Sequence, residues 1–307
     1  MKHLLAIEDL DPSDISRILA LTSGLKKKRG GSAALKGQTW GLIFTKSSTR
    51  TRVSFQVGVY ELGGQSLFLS ANEIQLGRGE SIADTARVLS RFMHGVIIRT
   101  YAQEDLIEFA KWGTIPVVNA LTDAEHPCQI LADLFTINEK RGKPGKIAFI
   151  GDGACNVCNS WVFAAAKMGF HLAIGAPKGY QPHTQVVARA EMAAKKSKFK
   201  LTITEDCGEA ARDADVLYTD VWVSMGKENE SAQRVKDLTG YQINAGLLKS
   251  AKKGALVMHC LPAYRGKEIT EGVFEAHAKD IFDQAENRLH VQKAILTLLA
   301  KQGRKGS

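Results

Sequence analysis

The sequence predicts an α/β protein with two doubly wound parallel-sheet domains that carry helices on both faces. A length of 307 residues suggests two domains, since a domain has about 150 residues. Short apolar runs of strand type alternate with helical patterns along the chain, which indicates βαβ units and parallel sheets. The order strand, polar loop and helix occurs in both halves, so each half is expected to form one domain.

The first half begins with an amphipathic helix over residues 14–25, which follows the capping sequence DPSD at 11–14. A strand is predicted at 39–45. The polar loop 46–49 then leads into a helix that carries Val53, Val57 and Tyr60 on one apolar face and stops at the glycine pair 63–64. Another helix is predicted over 82–93, and further strands are predicted at 66–69, 95–99 and 116–119.

The second half repeats this scheme. A strand at 146–150 is followed by the tight loop Gly151-Asp152-Gly153 and by a helix over 159–168. Further strands are predicted at 171–174, 201–204, 216–219 and 255–259.

The domain boundary is expected in the sequence KRGKPG at 140–145, which combines charge, glycine and proline between two periodic segments. The expected domains are residues 1–140 and 146–286. The last helix, 287–303, places apolar side chains on one face and is expected to pack back on the first domain. These side chains are Val291, Ala294, Ile295, Leu298 and Leu299.

Composition excludes several classes of protein. With 44% hydrophobic and 24% charged residues, the chain has enough apolar surface to fold. No apolar run approaches the ~20 residues that span a bilayer. The N-terminus soon reaches Glu8, Asp9 and Asp11, unlike a signal or transit peptide, which predicts a cytoplasmic protein. The 5 scattered cysteines do not form the pattern of a disulfide framework.

The net charge of +9 is spread over the chain in short runs such as the one at 26–29, which we interpret as solvated faces. No aromatic and basic stripe marks a nucleic-acid surface. The charge therefore suits a small anionic substrate better, with nucleic-acid binding as a weaker alternative.

One polar loop predicts an anion site. Ser48 or Thr49 is a good N-cap for the helix that follows, so Arg50 and Arg52 fall in its first turn. The helix dipole disfavours cations there by roughly 0.3–1 kcal/mol each, and a bound anion reverses that sign. Free backbone N–H groups, hydroxyl groups and a guanidinium together make a phosphate cradle. The alternative is that both arginines are solvated.

Arg288 is a second arginine expected at a helix start, here the start of the C-terminal helix. The alternative for this residue is an intrahelical pair with Gln292 or Glu286.

Four motifs carry a resemblance to a known family. The run FTKSSTRTRVSF at 44–55 resembles the carbamoyl-phosphate signature of the aspartate and ornithine carbamoyltransferases, and HPCQILADL at 126–134 resembles that family's second signature. DVWVSMG at 220–226 and HCLP at 259–262 are similar to motifs of the ornithine branch. The resemblance implies transfer of the carbamoyl group of carbamoyl phosphate to the δ-amine of L-ornithine, giving L-citrulline and phosphate.

The resemblance also implies the site residues. Those implied for carbamoyl phosphate are Ser48, Thr49, Arg50, Thr51, Gln75, Arg99, His126, Gln129, Cys260, Leu261 and Arg288. Those implied for ornithine are Asn156, Asp220, Ser224 and Met225, with Asn159 as the alternative to Asn156. Arg50, Arg99, His126, Asp220 and Cys260 are the implied catalytic residues. In the family the cysteine is often assigned as a proton acceptor, whereas a strand cysteine is otherwise usually buried and inert. A cis peptide bond before the proline at 262 is a further implication of the resemblance.

The residues around His126 add an argument of their own. Proline at 127 starts a helix well, so the imidazole of His126 lies at a helix N-terminus. That position disfavours the imidazolium and favours a neutral donor, which suits polarisation of a carbonyl oxygen.

Cofactors and metals are not expected. GDGACN at 151–156 lacks the third glycine of a dinucleotide fingerprint, and the pair Cys155 and Cys158 lacks a second pair for zinc. The expected partners are the two substrates and, by resemblance, two further copies in a homotrimer, without nucleic acid or membrane. The alternatives are a carbamoyltransferase for another amine and a non-catalytic protein that binds a phosphorylated metabolite.

Overall fold

The computed structural model describes residues 1–70, 79–194, 197–224 and 226–303. The chain divides into two compact units. Unit 1 is Met1–Phe135 together with the chain from Asn287 onward, and unit 2 is Thr136–Glu286. Both are α/β units with a parallel sheet, so the predicted fold class is confirmed.

Unit 1 has a parallel sheet with the strand order β2-β1-β3-β4. The strands are β1 (Thr39–Phe44), β2 (Gln65–Ser70), β3 (Gly95–Arg99) and β4 (Val117–Leu121). The helices are α1 (Pro12–Lys27), α2 (Thr49–Glu61), α3 (Ile82–Phe92), α4 (Gln103–Trp112), α5 (Pro127–Arg141, which continues into unit 2) and the part of α12 (Ala278–Gly303) from Asn287. Leu4 adds a parallel bridge to Val118 beside β4.

Unit 2 has a parallel sheet with the strand order β7-β6-β5-β8-β9. The strands are β5 (Lys146–Ile150), β6 (His171–Gly175), β7 (Lys200–Thr204), β8 (Val216–Thr219) and β9 (Leu256–His259). The helices are α6 (Asn156–Met168), α7 (Thr184–Ala193), α8 (Cys207–Ala211), α9 (Ser231–Leu238), α10 (Ala245–Leu248) and α11 (Glu271–Ala276), with a 3₁₀ turn at Glu228–Glu230.

The direction in which successive strands are added to the sheet reverses once in each unit. In unit 1 the chain runs outward from β1 to β2 and then returns to β3 and β4 on the other side of β1. In unit 2 it runs from β5 to β6 and β7 and then returns to β8 and β9. In open parallel sheets, ligands bind at the carboxyl ends of the strands where the order reverses, here β1 and β3 in unit 1 and β5 and β8 in unit 2.

The buried face of α2 differs from the prediction. Val53 is 51% exposed and Tyr60 is 79% exposed, whereas Phe55 and Val59 are fully buried. Thr51, Phe55, Gly58 and Val59 repeat at the i, i+4, i+7 and i+8 spacing and form the face that packs inside. The predicted apolar face was therefore wrong. The apolar residues of α2 lie on two overlapping faces, and the hydrophobic pattern alone does not show which face is buried.

Among the helices of the described chain, none combines the length and the apolarity that crossing a bilayer requires.

Candidate active site

The candidate residues of unit 1 follow the carboxyl ends of its strands. Ser48 follows β1, Arg99 ends β3 and His126 follows β4 at the start of α5. Side chains that lie far apart in the sequence thus reach one edge of the same sheet, at the reversal between β1 and β3.

Ser48 is the N-cap of α2, as predicted. Its backbone is extended, and its Oγ accepts the N–H of Thr51 at 3.3 Å. Arg50 and Arg52 lie in the first turn of α2, where no acidic residue stands beside them. Two cations at the positive end of a helix dipole are unfavourable unless an anion binds there.

Arg288 reaches this helix end from the interior of α12. The prediction that Arg288 begins its helix was wrong, because α12 starts at Ala278 and already has Asp280 in its first turn. The guanidinium Nη2 of Arg288 donates to Thr51 Oγ1 at 2.8 Å, and both residues are buried. Arg288 therefore joins the cradle through side-chain contact and not through a helix dipole.

The guanidinium groups of unit 1 are close enough to affect one another. Burial, and then the charges of Arg288 and Arg50, lower the pKa of Arg99 from 12.5 to about 10. Arg99 stays charged at neutral pH, so three cations converge on one region. A dianion bound there would remove their mutual repulsion.

His126 is buried beside these arginines. Burial, followed by the charges of Arg288 and Arg99, lowers its pKa well below 6.5. The imidazole is therefore neutral at physiological pH and can donate one N–H without adding a further positive charge. This agrees with the expectation drawn from its place before Pro127.

The free energy of unfolding should fall as the pH is lowered from about 7 to 5, and His126 should supply part of that fall. A histidine of the unfolded chain takes up a proton near 6.5, whereas the folded protein keeps His126 neutral, so acid favours the unfolded state. His3, whose pKa burial lowers to about 4, supplies another part. Urea titrations should show a shallower pH dependence for His126→Gln than for the wild type. An equally steep dependence would contradict a neutral His126.

Gln129 presents a free acceptor in unit 1. It lies on α5 and is almost completely buried, and its Nε2 donates to Asp133 Oδ1 at 2.9 Å. Its Oε1 has no hydrogen-bond partner among the described residues. An unpartnered amide oxygen of this kind can accept a hydrogen bond from the NH₂ group of a carbamoyl moiety.

Lys46 lies near the predicted cradle and was not predicted from the sequence, whereas Arg52 was predicted there. Lys46 is buried, forms an ion pair with Asp123, and lies 4.0 Å from the centre of the Tyr101 ring. Arg52 stacks on Phe68 at 3.5 Å and lines a cavity of about 510 Å³ together with the loop from Lys46 to Thr49. Lys46 thereby connects the loops after β1, β3 and β4. A lysine in a polar loop looks solvated in the sequence, so no local pattern distinguishes it.

The candidate residues of unit 2 begin at the loop after β5. Cys155 is the N-cap of α6, and its Sγ accepts the N–H of Cys158 at 3.4 Å. Asn156 is the first residue of α6 and is half-buried, whereas Asn159, one turn later, is buried. The helix thus starts at Asn156, three residues before its predicted start.

Asp220 and Cys260 meet in unit 2, although they are distant in the sequence. Asp220 follows β8 and Cys260 follows the neighbouring strand β9. The thiol of Cys260 donates to Asp220 Oδ1 at 2.8 Å, and the same oxygen accepts the N–H of Val221 at 2.7 Å. Burial raises the pKa of Asp220 despite the opposing effects of His259, Cys260 and Val221. Both of these bonds end on Oδ1 of Asp220.

The segment after Cys260 has an unusual backbone. The Leu261-Pro262 peptide bond is cis, as the resemblance implied, and Leu261 has a φ of 59°. The N–H of Leu261 donates to His259 Nδ1 at 2.9 Å, and His259 Nε2 lies 3.1 Å from Glu268 Oε1. This buried pair fixes the His259 tautomer with its proton on Nε2. Glu268 was not predicted, since it lies outside every motif.

The remaining predicted site residues are Ser224, Gln75 and Met225. Ser224 lies in the loop after β8 and is half-buried. Gln75 and Met225 lie outside the described residues. Within the described ranges, no cluster of three or more histidine, cysteine or acidic side chains could hold a metal ion.

Comparison with protein families gives two adjoining matches. Residues 2–139 match the model described as "Aspartate/ornithine carbamoyltransferase, carbamoyl-P binding domain". Residues 143–299 match the model described as "Aspartate/ornithine carbamoyltransferase, Asp/Orn binding domain".

Named relatives are similar over nearly their full lengths. The ornithine carbamoyltransferase of Akkermansia muciniphila is 54% identical over 306 residues, covering 98% of each chain. That of Syntrophus aciditrophicus is 52% identical, over 97% of this chain and 99% of its own. Among solved structures, the anabolic ornithine carbamoyltransferase of Campylobacter jejuni has a TM-score of 0.94 at 44% identity, over 98% of this chain and 100% of its own. That of Pyrococcus furiosus has a TM-score of 0.92 at 44% identity, over 98% and 97%.

Proposed function

This chain belongs to the aspartate/ornithine carbamoyltransferase family, and we propose how its own residues transfer the carbamoyl group of carbamoyl phosphate to the δ-amine of L-ornithine. The products of this transfer are L-citrulline and phosphate. The observation that carries the proposal is the convergence of Arg99, Arg288 and a neutral His126 on the N-terminus of α2.

The residues of unit 1 hold carbamoyl phosphate. Ser48, Thr49, Arg50 and Thr51 bind the phosphate at the start of α2, with Arg288 beside Thr51. Arg99 and neutral His126 donate to the carbonyl oxygen, where negative charge develops in the transition state. Gln129 Oε1 accepts from the carbamoyl NH₂ group and thereby orients the carbonyl. We assign Gln75 to the same substrate by resemblance alone.

The residues of unit 2 hold ornithine. Asp220 binds an ammonium group, Asn156 binds the α-carboxylate or the α-amino group, and Ser224 and Met225 complete the contacts with the amino acid. Asn159 is the alternative to Asn156. These assignments agree with the polar side chains at the carboxyl ends of β5 and β8.

The chemistry is a displacement at the carbonyl carbon. The neutral δ-nitrogen attacks the carbon, a C–N bond forms, and the bond from carbon to the phosphate oxygen breaks, so phosphate leaves with the electron pair. The nitrogen loses one proton. Cys260 accepts that proton on Sγ as its own S–H proton passes to Asp220, whose raised pKa makes the carboxylate a better acceptor. The carbonyl of Leu261 accepts from the carbamoyl nitrogen.

The biological setting is part of the proposal. We place the reaction in arginine biosynthesis in the cytoplasm, which fits the five free cysteines. We also propose a homotrimer. Several large apolar side chains of unit 1 are exposed in the single chain, and a neighbouring copy would cover them. These are Val53, Tyr60, Leu67, Val88 and Phe92.

A citrulline assay tests the function. Purified protein with carbamoyl phosphate and L-ornithine should form L-citrulline and phosphate in equal amounts. Aspartate, putrescine and N-acetylornithine, tested at the same concentration, should react far more slowly. If one of these amines reacted faster than ornithine, that amine would be identified as the substrate. Binding of carbamoyl phosphate without product from any amine would indicate a non-catalytic protein.

A further inference from the structure

Arg234 is a half-buried cation of unit 2 that no motif singles out. It lies on α9 with its side chain only 13% exposed. Its Nη1 donates to Asp152 Oδ2 at 2.8 Å and to the carbonyl oxygen of Trp222 at 3.4 Å, and its Nε donates to Glu230 Oε2 at 2.7 Å. One guanidinium thus binds two segments that lie far apart in the sequence, one at Asp152 and one at Trp222, and also Glu230, four residues before it in the chain.

The first of these segments leads to Asn156. Asp152 is 5% exposed, and its Oδ1 accepts the N–H of Ala154 at 3.0 Å, which holds the turn before Cys155 and the start of α6. Burial raises the pKa of Asp152, and the charge of Arg234 opposes that rise. Without Arg234, this carboxylate would take up a proton or turn towards water, and the turn would lose its anchor.

The second segment is the loop after β8. Trp222 stands between Asp220 and Ser224, so a bond to its carbonyl oxygen fixes the centre of that loop. The Trp222 indole also packs on the first segment, since its Cδ1 lies 3.7 Å from the position that a Cβ on Gly151 would take. The two loops therefore contact each other directly, and Arg234 bonds to both.

We infer that Arg234 is a positioning residue for the amino-acid substrate. It acts through Asp152 and Trp222 to fix the distance between Asn156, which begins α6 after one loop, and Asp220 and Ser224 on the other loop. The α-carboxylate and the ammonium group of one amino acid must be bound together, so that distance determines affinity for the amino acid. This inference rests on the ornithine-binding assignment proposed above.

The planar geometry of arginine is needed for this role. A guanidinium donates in several fixed directions at once, whereas a lysine ammonium is a single flexible point charge. A lysine in place of Arg234 would keep the attraction to Asp152 but could not donate to all three acceptors in fixed directions.

The test compares Arg234→Gln, Arg234→Lys and Asp152→Asn by steady-state kinetics with each substrate varied in turn. For Arg234→Gln, KM for ornithine should rise by about tenfold or more, while KM for carbamoyl phosphate stays within about twofold of the wild type. Arg234→Lys should recover part of the ornithine affinity. Asp152→Asn should resemble Arg234→Gln, and the double variant should be no worse than either, because both changes remove one interaction.

Lys236→Gln is the matched control, since it removes one positive charge from an exposed site on the same helix. It should leave both KM values unchanged. Circular dichroism and urea unfolding establish that each variant is folded. If Arg234→Gln does not fold, the KM values of Arg234→Lys and Asp152→Asn provide the test. An unchanged KM for ornithine in the folded variants would overturn the inference. An equal rise in both KM values would also overturn it, because it would indicate general destabilisation. Absence of citrulline from the wild type would instead refute the proposed function.

Discussion

The Arg50→Ala variant should lose about a thousandfold in kcat/KM for carbamoyl phosphate. Arg50 lies in the first turn of α2, and its charge acts on buried Arg99. The phosphate gains negative charge as it leaves, so a guanidinium stabilises the transition state more than the ground state. Both the affinity for carbamoyl phosphate and kcat should therefore fall. Steady-state kinetics at saturating ornithine separate the two.

Two further variants make this result specific. Arg50→Lys keeps the charge but lacks the planar fork, so its kcat/KM should lie between those of the wild type and Arg50→Ala. Arg17→Ala removes an exposed arginine from α1 of the same unit and should change nothing. An Arg50→Ala variant with a normal KM for carbamoyl phosphate would show that the cradle has been assigned to the wrong residues.

The Asp220→Asn variant should lose about a hundredfold or more in kcat/KM for ornithine, with little change in KM for carbamoyl phosphate. The substitution keeps the size of the side chain but removes the charge that we propose to hold an ammonium group. It also removes the carboxylate to which Cys260 donates at 2.8 Å. Proton transfer and substrate binding should therefore both suffer, and ornithine titrations at saturating carbamoyl phosphate measure the combined loss.

The pH dependence of kcat/KM for ornithine provides a second test of the same variant. Burial raises the pKa of Asp220, so the wild-type carboxylate becomes charged over a higher pH range than an ordinary aspartate. kcat/KM for ornithine should rise as the pH rises through that pKa, and this limb should be absent from Asp220→Asn. Glu191→Gln, an exposed change on α7, is the control and should keep the limb. If Asp220→Asn kept the wild-type profile, another group would be the proton acceptor.

The strands were the most predictable part of the fold. Strands predicted at 95–99, 146–150 and 216–219 occur at those residues, because strands buried on both faces are continuous apolar runs. The start of α12 at Ala278 was missed. Its first turns carry charged residues such as Asp280 and Asp283, so the hydrophobic period becomes visible only later in the helix. The buried face of α2 was missed for a related reason, since the sequence shows which residues are apolar but not what they pack against.

The candidate site was predictable only where local chemistry was unusual. First-turn arginines and a histidine before a helix-starting proline stand out because they contradict or exploit the helix dipole. Arg234, Lys46 and Glu268 follow no such rule. Lys46 and Arg234 pair with carboxylates far away in the sequence, and Glu268 pairs with His259 in the protein interior. Such pairing of partly or fully buried charges is a property of the folded chain alone.

The cluster of Arg50, Arg99 and Arg288 has a consequence for turnover. In the site proposed above, these cations attract phosphate whether or not it still carries a carbamoyl group. The inorganic ion released by the reaction therefore competes with fresh substrate for the same groups. Strong electrostatic attraction speeds the binding of carbamoyl phosphate but slows the release of inorganic phosphate. We therefore expect phosphate to inhibit the reaction as a product.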